Sequence, residues 1–327
     1  MQNLRDSFGR RFSYLRLSII DACNFSCTYC LPNGYKKTLG EVAYLSPREI
    51  KNLIRCFAEL GTYKVRLTGG EPTLRKDFLE VTRSISETPG IERIALSTNA
   101  FRLKELAPKL RDAGISSLNI SIDSLDPKVF SKITGSHQLQ DILDGIDLAL
   151  NSGFEEIKIN AVLMKNFNDD SFQSFMNWAK TEPVVVRFIE LMPTHDNKQL
   201  FKDHHISSKI LRDDLLARGW SPKMRGEADG PAEEFTHPHY RGRMGFIAPY
   251  AKDFCANCNR LRVTSRGDLR LCLFGEGNHS LRDLLQSPDQ KEELQMRLVS
   301  LLQKKEISHY LLEGKYGNNF SFSSMGG

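Results

Sequence analysis

Short apolar runs alternate with helical patterns along the chain up to about residue 220. Six runs rich in Val, Ile and Leu are predicted to be strands, at residues 14–20, 64–67, 93–97, 118–122, 157–162 and 184–189. The stretches between them carry apolar residues at helical spacing. The clearest helix follows Ser46-Pro47-Arg48-Glu49, a capping box with proline at the first helical position, and ends at Gly61.

This alternation of strand and helix predicts a parallel sheet with right-handed crossovers. We expect an α/β fold, a partial (β/α)6 TIM-like barrel instead of a doubly wound sheet, because the candidate chemistry recurs at the carboxyl ends of strands around a common mouth. Gly, Asp and Pro interrupt the pattern near residues 226–231. We therefore predict a barrel domain at 1–228 and a C-terminal domain at 229–327. The second domain would hold a helical stretch at about 280–305 and an irregular tail from residue 317.

The composition is that of a globular protein, with 40% hydrophobic and 26% charged residues among 327. No apolar run is long enough to span a bilayer, and the first residues are charged without an apolar signal segment. We therefore expect a cytoplasmic protein, in which cysteines bind metals or act in catalysis more often than they form disulfides. The net charge of +5 fits a solvated surface, and no cluster of Lys and Arg with interleaved aromatic residues predicts nucleic-acid binding.

A first cysteine triad, Cys23, Cys27 and Cys30, lies in the loop after the first predicted strand with the spacing C-x3-C-x2-C. Thiolates this close in sequence can converge on one metal centre. Three of them satisfy three irons of a four-iron cluster and leave the fourth iron open to a chelating ligand. The alternative is structural zinc, but zinc favours a fourth ligand nearby, and no His or Cys follows Cys30 closely.

A second triad, Cys255, Cys258 and Cys272, has the spacing C-x2-C-x13-C. It also offers three ligands, and would leave an open iron if it binds a four-iron cluster. Zinc is a more serious alternative here, because C-x2-C pairs are common in zinc sites and His279 lies seven residues after Cys272. The seventh cysteine, Cys56, falls in the first predicted helix and is interpreted as a small, partly buried residue.

Four predicted strands carry a single cation between apolar neighbours, namely Arg16, Arg66, Lys158 and Arg187. By the alternation of side chains along a strand, each points to the face opposite its apolar neighbours, where a buried cation needs an anionic partner. Internal salt bridges, for instance of Arg187 with Glu190 or Asp123, account for one or two of them. Four cations in four strands favour a polyanionic ligand inside the barrel, and the planar fork of arginine suits phosphates.

Arg260 and Arg262 repeat this pattern beside the second triad, where they share one face if the stretch is extended. A ligand with phosphates at one end and a metal-binding heterocycle at the other would fit both the cations and an open iron. That description matches a nucleotide.

Three features resemble the radical S-adenosylmethionine (SAM) superfamily: the first triad, the aromatic Tyr29 before its last cysteine, and Gly69-Gly70-Glu71-Pro72 after the second strand. With the second triad, the Asn-Arg-Leu-Arg that follows Cys258, and the C-terminal Gly-Gly, the chain resembles the GTP 3′,8-cyclase family of molybdenum cofactor biosynthesis from about residue 8 to 327. The resemblance implies a radical SAM barrel with a C-terminal auxiliary-cluster domain. It also implies an enzyme that converts GTP to (8S)-3′,8-cyclo-7,8-dihydroguanosine 5′-triphosphate, the first step of molybdopterin biosynthesis.

The resemblance further implies the roles of individual residues. Two [4Fe-4S] clusters would be bound by Cys23, Cys27 and Cys30 and by Cys255, Cys258 and Cys272. Contacts to SAM would come from Tyr29, Gly70, Ser121 and Met192. Contacts to GTP would come from Arg16, Arg66, Ser97, Lys158, Arg260, Leu261 and Arg262. Catalytic roles would fall to Arg260, Arg262, Gly326 and Gly327, the last two in a tail that enters the active site. The chain departs from the family at Ser97-Thr98-Asn99-Ala100, where Thr-Thr-Asn-Gly is frequent.

In the implied reaction, a 5′-deoxyadenosyl radical from SAM removes hydrogen from C3′ of GTP, the ribose radical adds to C8, and the second cluster binds guanine through its open iron. The implied partners are an electron donor such as flavodoxin or ferredoxin, cyclic pyranopterin monophosphate synthase as acceptor of the product, and a second copy of the chain in a homodimer. One alternative is a radical SAM peptide-modifying enzyme, although such enzymes usually have more C-terminal cysteines and need no ring of cations. The other is a zinc-binding nucleic-acid module, favoured by the basic pI and Cys258-Asn259-Arg260 alone.

Overall fold

A computed structural model describes the protein at residues 3–37, 43–226, 229–252, 254–275, 277–315, 317 and 322–323. Its strands are β1 Tyr14–Ser18, β2 Lys64–Thr68, β3 Arg93–Thr98, β4 Ser117–Ser121, β5 Glu156–Leu163, β6 Val184–Glu190, β7 Ser221–Pro222, β8 Glu233–Thr236, β9 Arg243–Ile247, β10 Arg260–Val263, β11 Asp268–Arg270 and β12 His279–Ser280. Its α-helices are α1 Pro47–Glu59, α2 Phe78–Ser86, α3 Leu103–Asp112, α4 Pro127–Thr134, α5 Leu139–Leu150, α6 Phe172–Thr181, α7 Lys198–His204, α8 Lys209–Ala217 and α9 Lys291–Leu302. None of the described helices is long and apolar enough to cross a membrane.

The six predicted strands are confirmed as β1 to β6, with ends that differ from the predicted ones by at most two residues. Each pairs in parallel with the next one along the chain, and helices connect them. Their outward side chains, such as Leu15 and Val65, share one buried core with Leu53 and Phe57 of α1. The strands form because runs of Val, Ile and Leu bury one face against the helices, while the alternate residues face the barrel interior.

Strands from the C-terminal part of the chain extend this sheet at both edges, giving the order β12-β11-β10-β1-β2-β3-β4-β5-β6-β9-β8-β7. β10 pairs in parallel with β1, and β9 pairs in parallel with β6. Both edges of the six-stranded barrel are thus covered by other strands, so their backbone groups are hydrogen-bonded. The division of the chain at residue 228 stays a prediction, and strands from its C-terminal side belong to the same sheet as the barrel.

The capping box of α1 is confirmed by two hydrogen bonds: Glu49 N donates to Ser46 Oγ (3.3 Å) and Ser46 N donates to Glu49 Oε2 (2.8 Å). The continuous helical stretch predicted at about 280–305 is wrong in its first half. Strand β12 and two 3₁₀ turns, Arg282–Leu284 and Pro288–Gln290, precede α9. The reason is Pro288, which disfavours helical backbone at the residue before it and begins a new turn.

Candidate active site

The two cysteine triads, predicted from separate parts of the sequence, face one cavity of about 290 Å³ inside the barrel. All six of their side chains line it, and each is a partly exposed free thiol. Cys56 lies in the core instead, fully buried where the sequence predicted partial burial. The barrel therefore brings two potential three-thiolate sites to a common space.

The loop that carries Cys23 is hydrogen-bonded to the glycine pair after β2. Gly70 N donates to Ile20 O (2.8 Å), and Glu71 N donates to Ala22 O (2.8 Å). A Cβ atom built on Gly70 would lie 2.2 Å from Ala22 O, far inside van der Waals contact. Glycine is therefore required here for the close approach of two backbones.

The carboxylate of Glu71 fixes the loops after β2 and β3 in place. It accepts hydrogen bonds from Thr73 Oγ1 (2.6 Å), Thr98 Oγ1 (2.8 Å) and Asn99 N (2.7 Å). Burial raises the pKa of Glu71, and these donors oppose that shift. Asn99 in turn donates to Asn24 Oδ1 (2.9 Å), next to Cys23. Glu71 thus fixes the loop of the first triad through Asn99 and Asn24.

The departure at residues 97–100 leaves this loop intact. Ser97 lines the cavity. Ala100 has φ 62°, in the left-handed region that glycine occupies without strain. Its N–H donates to Thr98 Oγ1 (2.9 Å), so this chain forms the turn with an alanine where the family often has glycine.

The four predicted SAM contacts, Tyr29, Gly70, Ser121 and Met192, all line the cavity. Two buried polar residues to which the sequence analysis gave no role in SAM binding contact Tyr29 and Met192. Asp123 accepts a hydrogen bond from the Tyr29 hydroxyl (3.0 Å), and burial raises the pKa of Asp123 to about 6. Asn197 Nδ2 donates to both Tyr29 O and Met192 O at 3.1 Å, which joins the loop of the first triad to the loop after β6.

The second triad is surrounded by residues from both ends of the chain. Arg10 donates to Cys255 O (3.1 Å) and to Ile307 O (2.9 Å). Lys305 is buried, lines the cavity and contacts Leu271 O. These contacts fix the second triad independently of the loops that hold the first.

The charges around the two triads differ. Burial raises the pKa of the Cys30 thiol to about 12, and raises those of Cys23 and Cys27. Burial acts in the same direction on Cys258, but the positive charges of Arg260 and Lys305 lower its pKa overall. Because thiolates are the metal-binding form, the cations stabilise the ligand state of Cys258.

Histidines do not complete the second triad within the described ranges. His279 lies in β12 and is not among the residues that line the cavity. His309 does line it, but its Nε2 is 2.8 Å from Pro249 O and its Nδ1 accepts from Leu311 N (3.0 Å). Both ring nitrogens are therefore already engaged, and burial lowers the pKa of His309.

Three arginines lie side by side on the inward face, because the register pairs Arg16 with Arg262 on one side and with Arg66 on the other. Burial and the charges of Arg262 and Arg66 lower the pKa of Arg16 well below its usual value. Nε of Arg66 and Nε of Arg262 have no hydrogen-bond partner among the described residues. A row of buried like charges with unused donors is unfavourable by itself and becomes favourable when an anion binds.

The other predicted GTP contacts divide into two groups. Arg260 lines the cavity, whereas Lys158 pairs with Glu156 and is not among the lining residues. Leu261 alternates with the arginines of β10 and packs into the core, so its side chain faces away from the cavity. Arg187 lines the cavity without a salt bridge to Glu190 or Asp123.

Arg187 is held by amide oxygens instead of carboxylates. Its guanidinium donates to Asn119 Oδ1 (2.7 Å) and to Asn160 Oδ1 (2.8 Å). These neutral acceptors fix the side chain without pairing its positive charge, which Glu234 and Glu156 offset only in part. Arg187 therefore adds to the positive potential of the cavity.

The C-terminal tail reaches the cavity at its described residues. Phe322 and Ser323 are buried and line it, and their backbone amides lower the pKa of the Cys30 thiol against the larger effect of burial. Phe322 packs against Phe274 and Leu311. The predicted catalytic Gly326 and Gly327 lie outside the described residues.

The chain is similar to known protein families and to curated relatives over its whole length. The model of the radical SAM superfamily matches residues 17–179, and that of Molybdenum Cofactor Synthesis C matches 184–311. The GTP 3′,8-cyclases of Aeromonas hydrophila and Vibrio cholerae are each 50% identical to this chain over 100% of its length and 97% and 98% of theirs. The chain belongs to the GTP 3′,8-cyclase family. The GTP 3′,8-cyclase of Vibrio parahaemolyticus is 48% identical, over 100% of this chain and 98% of that one. The family predicted from the motifs is thus confirmed.

Solved structures confirm the radical SAM fold of this GTP 3′,8-cyclase family member. Streptococcus suis SuiB bound to S-adenosylmethionine has a TM-score of 0.59 at 13% identity, over 87% of this chain and 68% of SuiB. SuiB bound to precursor peptide SuiA has a TM-score of 0.57 at 14% identity, over 87% of this chain and 66% of SuiB. At such identities the likeness concerns the fold alone.

Membership of the radical SAM superfamily implies a [4Fe-4S] cluster and SAM. Within the described ranges, no group of three or more His, Cys, Asp and Glu side chains is arranged to hold a single metal ion. The fit to a cluster therefore rests on the donors: three free thiols of the first triad line a cavity that is also lined by Gly70, where a Cβ would obstruct the backbone. The residues of the first triad therefore fit a [4Fe-4S] cluster.

Proposed function

We propose that the protein is a GTP 3′,8-cyclase that uses SAM to convert GTP to (8S)-3′,8-cyclo-7,8-dihydroguanosine 5′-triphosphate, the first step of molybdenum cofactor biosynthesis. One observation carries the proposal: a single cavity is lined by both cysteine triads and by a row of buried arginines. A substrate that bridges these features needs phosphates at one end and a metal-binding ring at the other. GTP has both.

The substrate binds at the side of the cavity formed by β1, β2 and β10. Arg16, Arg66, Arg260 and Arg262 bind the triphosphate, with Ser97 as a further contact. Lys158 and Leu261 stay predicted contacts, although neither is among the residues that line the cavity. Cys255, Cys258 and Cys272 hold a second [4Fe-4S] cluster, whose open iron would bind guanine. The arginines at residues 260 and 262 support this arrangement, because they lie within four residues of Cys258 and next to β1 in the sheet.

SAM binds at the other side, where Tyr29, Gly70, Ser121 and Met192 line the cavity. A [4Fe-4S] cluster held by Cys23, Cys27 and Cys30 would, together with SAM, supply the 5′-deoxyadenosyl radical. The chain's own residues position the two reactants, since the Asn197 and Glu71 contacts fix the loops around SAM. The surrounding barrel also excludes water from reactive species, which is a general task of the protein in cofactor-dependent reactions.

The C-terminal Gly326 and Gly327 take part in this site as catalytic residues, together with Arg260 and Arg262. The positions of Phe322 and Ser323 in the cavity support this role, because Gly326 and Gly327 follow Ser323 by three and four residues, a span of at most about 14 Å of extended chain. Paired glycines can pass through a narrow channel that a Cβ would block.

The partners follow from the reaction. Each turnover needs one electron to cleave SAM and a second electron, with a proton, to reduce the cyclised radical to the dihydro product. A flavodoxin or ferredoxin is the donor. Cyclic pyranopterin monophosphate synthase receives the product. We further place the enzyme in the cytoplasm as a homodimer.

A deoxyadenosine assay tests the proposed function. The anaerobically reconstituted protein, given SAM and dithionite, is expected to form 5′-deoxyadenosine rapidly with GTP and only at background rate with peptides. Liquid chromatography with mass spectrometry measures deoxyadenosine and the cyclised nucleotide together. Turnover with peptides but not with GTP would favour the peptide-modifying alternative, and a colourless zinc-loaded protein would favour the nucleic-acid module.

A further inference from the structure

Tyr14, at the start of β1, carries a buried hydroxyl that the roles assigned so far do not use. Its side chain lines the cavity and is 3% exposed. The hydroxyl has no hydrogen-bond partner among the described residues. Burying a hydroxyl without a partner is unfavourable, so this position calls for a ligand that completes it.

Cations surround the Tyr14 ring on neighbouring strands. Lys64 Nζ lies 5.0 Å from the ring centroid and Arg66 Cζ lies 5.5 Å from it. Arg260 is directly opposite Tyr14 in the register of β1 and β10. The charged groups that face it from the surrounding strands are Arg16, Lys64, Arg66, Arg187, Arg260 and Arg262.

The electrostatic field at the phenol is strongly positive. Burial alone raises the pKa of a tyrosine, yet Arg66, Arg16, Lys64 and Arg260 lower that of Tyr14 from 10.0 to about 8. The same cations would attract any other anion placed beside the hydroxyl. A neutral phenol can then donate a hydrogen bond to that anion, whereas the arginines supply the positive charge that attracts it.

We propose that Tyr14 is a further substrate-binding residue, whose hydroxyl donates a hydrogen bond to a phosphate oxygen of the bound nucleotide. This inference rests on the proposed function, since it assigns the nucleotide's phosphates to the β1–β2 side of the cavity. The hydroxyl adds a hydrogen bond with a preferred direction to the charges of the surrounding cations. It therefore fixes the orientation of one phosphate group, whereas arginine and lysine alone would tolerate several orientations.

Binding measurements on the reconstituted Tyr14→Phe variant test the proposal. Phenylalanine keeps the ring and its contacts with the cations, so the fold is preserved. We expect the affinities for GTP and for inorganic tripolyphosphate to fall by about tenfold or more, the scale of one hydrogen bond to a charged group. The affinity for guanosine, which lacks phosphates, is expected to stay unchanged.

Tyr250→Phe is the matched control. Its hydroxyl is also buried without a partner among the described residues, but Tyr250 is not among the residues that line the cavity. Burial raises the pKa of Tyr250, and no cation offsets this. Its removal is expected to change none of the three affinities.

Three outcomes would decide the proposal. Unchanged affinities in Tyr14→Phe would overturn it, and an equal loss for guanosine would place the hydroxyl on the nucleoside instead of the phosphates, which also overturns it. A weaker affinity for GTP and tripolyphosphate alone supports it. The proposed function fails separately, if the wild-type protein binds GTP but does not cyclise it.

Discussion

Replacing Cys255, Cys258 and Cys272 together by alanine is expected to leave about half of the iron in the anaerobically reconstituted protein, about four of eight irons per chain. The two triads line one cavity but are held by different contacts. Glu71 and Asn197 fix the loops of the first triad, whereas Arg10 and Lys305 fix the second. The first cluster should therefore assemble without the second, and SAM binding should persist.

Iron per chain and the visible absorption of the clusters measure this effect. Cys56→Ala is the matched control, because Cys56 is buried in α1 away from the cavity and should leave the iron content unchanged. Loss of all iron from the triple variant would contradict two independent clusters. Full iron in that variant would show that the second triad binds none.

Gly70→Ala is expected to affect the first site as strongly as the triple substitution affects the second, by loss of its cluster. The new Cβ would lie 2.2 Å from Ala22 O and 2.4 Å from Asp21 O, in the loop that leads to Cys23. Two backbone segments would have to separate, which we expect to cost at least about 2 kcal/mol of stability. The shift moves Cys23 relative to the other two thiols, so SAM binding should be lost together with the first cluster.

Thermal unfolding, iron content and SAM affinity together measure this change. Gly226→Ala is the control, because a Cβ there meets Asp229 Oδ2 at an ordinary 3.6 Å and lies outside the cavity lining. Retention of SAM binding by Gly70→Ala would mean that the loop can move without disturbing the site.

The strands and their inward cations could be predicted from local sequence, because both depend on patterns within a few residues. Runs of Val, Ile and Leu marked β1 to β6, and the alternation of side chains placed Arg16 and Arg66 on the cavity side. The same alternation explains why Lys158 is paired: Glu156, two residues earlier in β5, lies on the same face and forms a salt bridge with it.

Partners that come from distant segments could not be predicted in this way. Arg187 is held by Asn119 and Asn160 on two other strands, which depends on the order and register of the sheet. Asn197 and Lys305 act from the loop before α7 and from the segment after α9, where no periodic pattern marks a site. The Tyr14 hydroxyl, which has no hydrogen-bond partner among the described residues, likewise could be recognised only once the neighbouring strands were in place.

GTP labelled with deuterium at C3′ gives the most direct test of the central claim, that the cavity places the ribose of GTP beside SAM. The wild-type protein is expected to transfer that deuterium to 5′-deoxyadenosine as it forms the cyclised nucleotide, with one labelled deoxyadenosine for each product. Mass spectrometry of both compounds measures the transfer. Cyclised product formed with unlabelled deoxyadenosine, or no product from GTP at all, would contradict the account.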